Sequence, residues 1–183
     1  YKMKNKLLVV VDYQQDFVEG ALGFAKAATL EDGIYHKVKS YLDQGAKVLF
    51  TYDTHGSNYL ETREGKNLPV EHCILGTEGH QLYGKLKEFN NTSNVSHLNK
   101  EVFALSPEGL IKLRDELAHD IDEVELVGVV TNMCVISNTV AMQMIYPNAD
   151  ISVDASLCAS FDDSLHKKAL DVIESIQVKV TNR

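Results

Sequence analysis

Leu7 to Val11 is an unbroken apolar run, short and rich in valine. It predicts a strand buried on both faces, with Asp12 at its C-terminal end. Leu30, Ile34, Val38, Tyr41 and Leu42 then recur at helical spacing, and Gly45 offers a stop. Lys47 to Tyr52 predicts a second strand that ends at Asp53, and Ser96 to Leu98 a short third strand that ends near Lys100. Ser106 and Pro107 have the character of an N-cap and a first helical residue, with Leu110, Leu113 and Leu117 as the buried stripe. Val124 to Val130 is another apolar strand, and Met133 to Tyr146 a helix closed by Pro147 and Asn148. Ile151 to Val153 predicts a strand, Asp163 to Glu174 a helix, and Gln177 to Val180 a last strand.

Strands that alternate with helices predict an α/β fold: a doubly wound, Rossmann-like parallel sheet with helices on both faces. Such sheets take their ligands at the carboxyl ends of the strands. The stretch from Thr54 to Asn94 breaks the alternation, and a connection of that length is usually functional or locally structured. No repeat, low-complexity run or linker divides residues 1–183, so a single domain is expected.

Composition narrows the function classes. The 44% hydrophobic and 24% charged residues are globular values. A net charge of -8, from 18 basic and 26 acidic side chains, argues against a broad nucleic-acid footprint, which needs clustered Lys and Arg. There is no apolar run of about 18 residues to span a bilayer. The polar start from Tyr1 to Lys6 shows no secretory signal, and Met3 is the candidate native start. Cys73, Cys134 and Cys158 are too few and too widely spaced for a disulfide framework, which points to a reducing cytoplasm.

The chemistry gathers at the predicted strand ends. Asp12 ends the first strand, Lys100 follows the third, and Cys134 opens a helix beyond Val124 to Val130. A cysteine at a helix N-terminus has its pKa lowered by the peptide dipoles, and a nearby ammonium lowers it further. A carboxylate raises that pKa, but it can carry the thiol proton as general acid and base. Taken singly, each residue has a plainer role: Asp12 as a cap, Lys100 as solvated surface, Cys134 as a small buried hydrophobe. A second cluster is Asp53, His55, Glu64 and His72. Carboxylates with imidazoles suit zinc, iron or manganese, although a single Asp-x-His pair is more often an ordinary polar loop. Glu61, Glu71, His80 and Cys73 lie close enough in sequence to replace a chosen ligand, and Cys73 has packing as its alternative.

Together these segments resemble the isochorismatase-like cysteine hydrolases, and nicotinamidases most closely. The resemblance runs through VVVDYQQDF (Val9 to Phe17), YDTH (Tyr52 to His55), EGKNLPVEHC (Glu64 to Cys73) and LGTEG (Leu75 to Gly79). It continues through LNKEVF (Leu98 to Phe103), VGVVTNMCV (Val127 to Val135) and DASLCASF (Asp154 to Phe161), the last similar to a loop after the next strand. It implies a catalytic triad of Asp12, Lys100 and Cys134, and a cis peptide between Val129 and Val130. It also implies an oxyanion hole from the Val130 and Cys134 N–H groups. A divalent ion, zinc first with iron or manganese as alternatives, would be held by Asp53, His55, Glu64 and His72. Phe17, Leu68, Phe103 and Val129 would lie against the substrate. The implied reaction is hydrolysis of nicotinamide to nicotinate and ammonia through a thioester at Cys134. Another small-amide hydrolase, a vinyl ether hydrolase, or a metal-binding module with an inert Cys134 are the rival readings. Pairing of helical faces into a homo-oligomer is implied by resemblance as well. The chain has no Trp, and Leu68 stands where some members carry a large aromatic residue.

Overall fold

The computed structural model of the chain describes residues 2–183, so Tyr1 at the polar start lies outside the described residues. Six strands form one sheet: β1 (Lys6–Val11), β2 (Lys47–Asp53), β3 (Val95–Lys100), β4 (Glu123–Val129), β5 (Asp150–Ala159) and β6 (Lys179–Thr181). Their order is β3-β2-β1-β4-β5-β6, and every neighbouring pair is parallel. The helices are α1 (Gln15–Val18), α2 (Ala25–Ala28), α3 (Glu31–Asp43), α4 (Arg63–Asn67), α5 (Pro107–Lys112), α6 (Ile136–Ile145) and α7 (Asp163–Ser175). None is long and apolar enough to cross a membrane.

The alternation of side chains along β1 explains the double winding. Leu7, Val9 and Val11 point into one apolar layer with Leu110 of α5, Met142 of α6 and Leu170 of α7. Leu8 and Val10 point into the other, with Ile34 and Val38 of α3. Each fully buried Leu or Val stabilises the fold by roughly 1.5–3 kcal/mol. With an apolar side chain at all five of these positions, β1 belongs at the centre of the sheet, between β2 and β4. From β1 the chain steps outward to β2 and β3. It then crosses to β4 on the far side of β1 and steps outward again. Reversal of direction at β1 and β4 opens a crevice at the carboxyl ends of these strands.

Several boundaries differ from the sequence reading. β3 is twice the expected length and includes Lys100, because its register against β2 pairs Asp53 with Lys100 directly. β5 continues through Asp154 to Ala159, where a loop was expected. The β4–β5 register shifts between Leu126 and Gly128, then resumes with Gly128 opposite Cys158 and Val129 opposite Ala159. An interrupted ladder of this kind leaves no simple period in the sequence. The last strand sits at Lys179–Thr181 instead of Gln177 to Val180, because Gln177 adopts a positive φ of 73° in the turn before it. The expected Ser106 cap is present, its hydroxyl accepting from the Gly109 N–H at 3.1 Å. The long 54–94 stretch folds locally into α4 and short 3-10 turns at Tyr59–Glu61, Glu78–His80 and Gly84–Phe89.

Gly128 is a tight backbone constraint next to the crevice. Its φ is +120°, and a Cβ there would come within 2.2 Å of the Val11 carbonyl oxygen. Gly128→Ala therefore meets both strain and overlap. It should lower unfolding stability by at least about 2 kcal/mol. Chemical denaturation with an unchanged midpoint would show that β1 and β4 can part at that point without cost.

Candidate active site and metal centre

Asp12 follows β1, Lys100 ends β3, and Cys134 lies beyond β4, yet the three side chains meet. The Lys100 Nζ is 2.6 Å from Asp12 Oδ2 and 3.3 Å from Cys134 Sγ. It also donates to the Val102 carbonyl at 3.0 Å and lies 3.5 Å from Asp53 Oδ1. Asp12 and Lys100 have fully buried side chains. Asp12 has a left-handed φ of 48°, and the Thr51 hydroxyl donates to its Oδ1 at 2.7 Å, which fixes the carboxylate toward Lys100.

The Cys134 turn departs from expectation. Thr131–Val135 forms a wide turn of π type, and the regular part of α6 starts only at Ile136. Its widening is visible in the hydrogen bonds: the Val130 carbonyl accepts from the N–H groups of Met133 and Val135 instead of that of Cys134. The peptide between Val129 and Val130 is cis. Buried Asn138, one helical turn after Cys134, holds the region together. Its Nδ2 donates to the carbonyls of Cys134 and Phe103, and its Oδ1 accepts from the Leu105 N–H. On the other side, Thr131 Oγ1 pairs with His166 Nδ1 of α7 at 2.7 Å.

Of the opposing influences on the sulfur, those that raise its pKa prevail. Burial and the adjacent Asp12 carboxylate push the Cys134 thiol well above its ordinary range, and Lys100 only partly offsets them. Burial likewise raises Asp12 against the pull of Lys100. For Lys100, burial disfavours the charge, but Asp12, Cys134 and Asp53 outweigh it and hold the ammonium protonated. One buried cation therefore faces three acidic groups. Full ionisation of all three is disfavoured, so a proton stays with the Asp12–Cys134 pair.

The second cluster converges beside the first. His55 Nε2 and His72 Nε2 lie 2.9 and 3.1 Å from Asp53 Oδ2, and 3.2 and 3.9 Å from Glu64 Oε2. Asp53 is held below the usual carboxylate range: burial opposes this, but His55, His72 and Lys100 prevail. The four ligand atoms all lie within 4.8 Å of one another. Ligands at about 2.1 Å around a tetrahedral ion would be about 3.4 Å apart, inside the span of these separations. The His72 Nδ1 lies 2.8 Å from the Val70 carbonyl, an acceptor only, so Nδ1 carries the hydrogen and Nε2 is free to ligate. This group fits a divalent ion. The Tyr59 ring packs against both imidazoles, with centroids 4.6 and 5.0 Å away, and its hydroxyl donates to the Leu68 carbonyl at the end of α4. Of the alternative ligands, Glu61, Glu71 and His80 stay outside the cluster, and Cys73 is packed inward. Buried Gln14 fixes Asp53 from behind, accepting from its N–H and donating to its carbonyl.

A cavity of about 440 Å³ brings Cys134 to one surface with Asp53, Glu64 and His72 of the second cluster. Of the expected substrate contacts, Phe17, Leu68 and Phe103 line it. Val129 does not: it is fully buried in the apolar layer behind the wall, because it still belongs to β4 and faces inward. Leu22, Met133, Phe161 and Leu165 line the cavity without having been singled out in sequence. Their hydrophobicity was the only available signal, and that signal does not separate cavity wall from core. Asn138 and Gln14 were detectable in principle as polar residues on otherwise apolar segments.

The isochorismatase domain family model matches residues 6–183 of the chain. The isochorismatase family protein PncA of Bacillus subtilis is 31% identical over 175 residues, covering 91% of this chain and 92% of that protein. The crystal structure of nicotinamidase/pyrazinamidase PncA from B. subtilis superposes with a TM-score of 0.84 at 28% identity, over 96% of this chain and 98% of the other. That of pyrazinamidase/nicotinamidase from Streptococcus mutans UA159 gives a TM-score of 0.83 at 27% identity, over 96% and 99%.

The charge balance yields a signed prediction. Asp12→Asn removes a carboxylate that raises the thiol pKa while Lys100 remains, so the Cys134 thiolate should appear at lower pH than in the wild type. Ultraviolet titration of the thiolate, with Cys134→Ala as blank, measures this. An upward or absent shift would mean that Asp12 does not govern the sulfur.

Proposed function

We propose that this chain, which belongs to the isochorismatase family, is a nicotinamidase: it hydrolyses nicotinamide to nicotinate and ammonia. The observation that carries the reading is one cavity with two chemistries on its wall. Cys134, backed by Asp12 and Lys100, shares it with Asp53, Glu64 and His72, which His55 joins from behind the wall to complete a four-ligand group. Such a pairing suits a substrate with a reactive carboxamide at one end and a metal-binding ring nitrogen at the other. The likeness to proteins described as nicotinamidase/pyrazinamidase supports the same class.

The proposed cycle starts with transfer of the Cys134 proton to Asp12, while Lys100 balances whichever of the two is anionic. The sulfur attacks the carboxamide carbon, a C–S bond forms, and the C=O electrons move onto oxygen. The N–H groups of Val130 and Cys134 are assigned to receive that oxygen. Collapse of the tetrahedral species breaks the C–N bond, and the proton on Asp12 goes to the departing nitrogen, which leaves as ammonia. A water gives a proton to Asp12 and attacks the thioester. The C–S bond breaks, the proton returns to sulfur, and the product leaves as the carboxylic acid, which gives its proton to ammonia in solution. A divalent ion held by Asp53, His55, Glu64 and His72, with zinc suited to this nitrogen and oxygen set, would supply Lewis-acid anchoring of the pyridine nitrogen. Phe17, Leu68 and Phe103 would exclude water from the faces of the ring.

Cys134→Ala should abolish ammonia release from nicotinamide while circular dichroism shows an intact fold. Turnover at the wild-type rate in that variant would end the thioester scheme. A panel of nicotinamide, pyrazinamide, benzamide and an N-carbamoyl amine tests the ring anchor. The two nitrogen heterocycles should be preferred, and equal turnover of benzamide would remove the anchor. Chelation should abolish activity and a divalent metal restore it, followed as ammonia released after dialysis. Full activity in protein shown by elemental analysis to be metal-free would refute an essential ion.

A further inference from the structure

The four residues of the ligand group line two cavities. The first, described above, touches Asp53, His72 and Glu64. A second, of about 310 Å³, touches His55 and Glu64, and has Glu64 and Phe103 in common with the first. The two differ in lining. Phe17, Leu22, Leu68, Phe103, Phe161 and Leu165 make the first mostly hydrocarbon. Asn58, Glu64 and Glu101 bring oxygen-bearing side chains to the second, and its exposed rim includes Gly56 and Asn58. Its two carboxylates, Glu64 and Glu101, outnumber its one cation, Arg63.

A divalent cation gives up its water reluctantly, and passage along a hydrocarbon wall offers nothing in exchange. Passage along side-chain oxygens replaces lost water step by step. We propose that the metal ion enters and leaves through the second cavity, behind His55 and Glu64, and that the first cavity serves the organic substrate alone. This rests on the reading of Asp53, His55, Glu64 and His72 as a metal centre. Under this division, substrate in the first cavity does not block the ion's path, and an empty ion site can refill while that cavity is occupied.

Plugging each cavity in turn tests the route. Asn58→Trp narrows the second cavity and Leu165→Trp the first; neither residue is a proposed ligand or member of the triad. Protein loaded with cobalt(II) is mixed with excess chelator, and loss of the cobalt absorption gives the release rate. Asn58→Trp should slow release about tenfold with uptake slowed in proportion and the equilibrium affinity unchanged, whereas Leu165→Trp should release like the wild type. Val102→Trp, on the same second cavity and 58% exposed, replaces Asn58→Trp if that variant does not fold. Slow release in Leu165→Trp alone, or wild-type release in both plugged proteins, overturns the route while leaving the metal centre in place. No cobalt complex in the wild type overturns the metal centre, and the route with it.

Discussion

The buried ammonium of Lys100 is the interaction on which the rest of the site depends. Moving an unpaired cation into a protein interior costs several kcal/mol, and removal of one partner from a buried pair destabilises by about 3–5 kcal/mol. Lys100 is tolerated because Asp12, Asp53 and the Val102 carbonyl surround it. The same position lets it face the Cys134 sulfur. One charge thereby biases the ionisation of the Asp12–Cys134 pair and joins it to the ligand group through Asp53, whose other carboxylate oxygen faces both imidazoles.

Sheet topology makes that convergence possible. Asp12, Asp53 and Lys100 come from the ends of β1, β2 and β3, which are adjacent in the sheet, and Cys134 comes from the turn after β4 on the other side of β1. Registers of Val11 with Thr51, and of Asp53 with Lys100, bring the Asp12, Asp53 and Lys100 side chains close to one level. The close approach of Gly128 to Val11 brings β4 in beside them. Each position is a consequence of parallel pairing, so the group is assembled by the backbone before any side chain chooses a rotamer.

Legibility in the sequence followed the range of the forces involved. β1 and β2 were readable because burial on both faces leaves continuous apolar runs, and the Ser106 cap because its chemistry is local. Asp12, Lys100, Cys134 and the ligand group were recognised from strand ends and from family resemblance, and the structure brings them together. The length of β5 was hidden by the register shift opposite Gly128, and the wide turn around Cys134 by its lack of any residue signature. The upward pull on the Cys134 thiol was not legible, because local dipoles and the nearby lysine are visible in sequence, whereas burial and the depth of Asp12 are properties of the folded whole. Val129 was misplaced for a related reason: one residue of register decides whether a side chain faces the cavity or the layer beneath it.

The origins of the cavity wall carry an evolutionary consequence. Phe17, Leu22, Leu68, Phe161 and Leu165 come from helices and loops that cap the strand ends, and none of them belongs to the ammonium–carboxylate–thiol group. Mutational drift can therefore recut the shape that admits a guest while the reactive apparatus beneath is left standing.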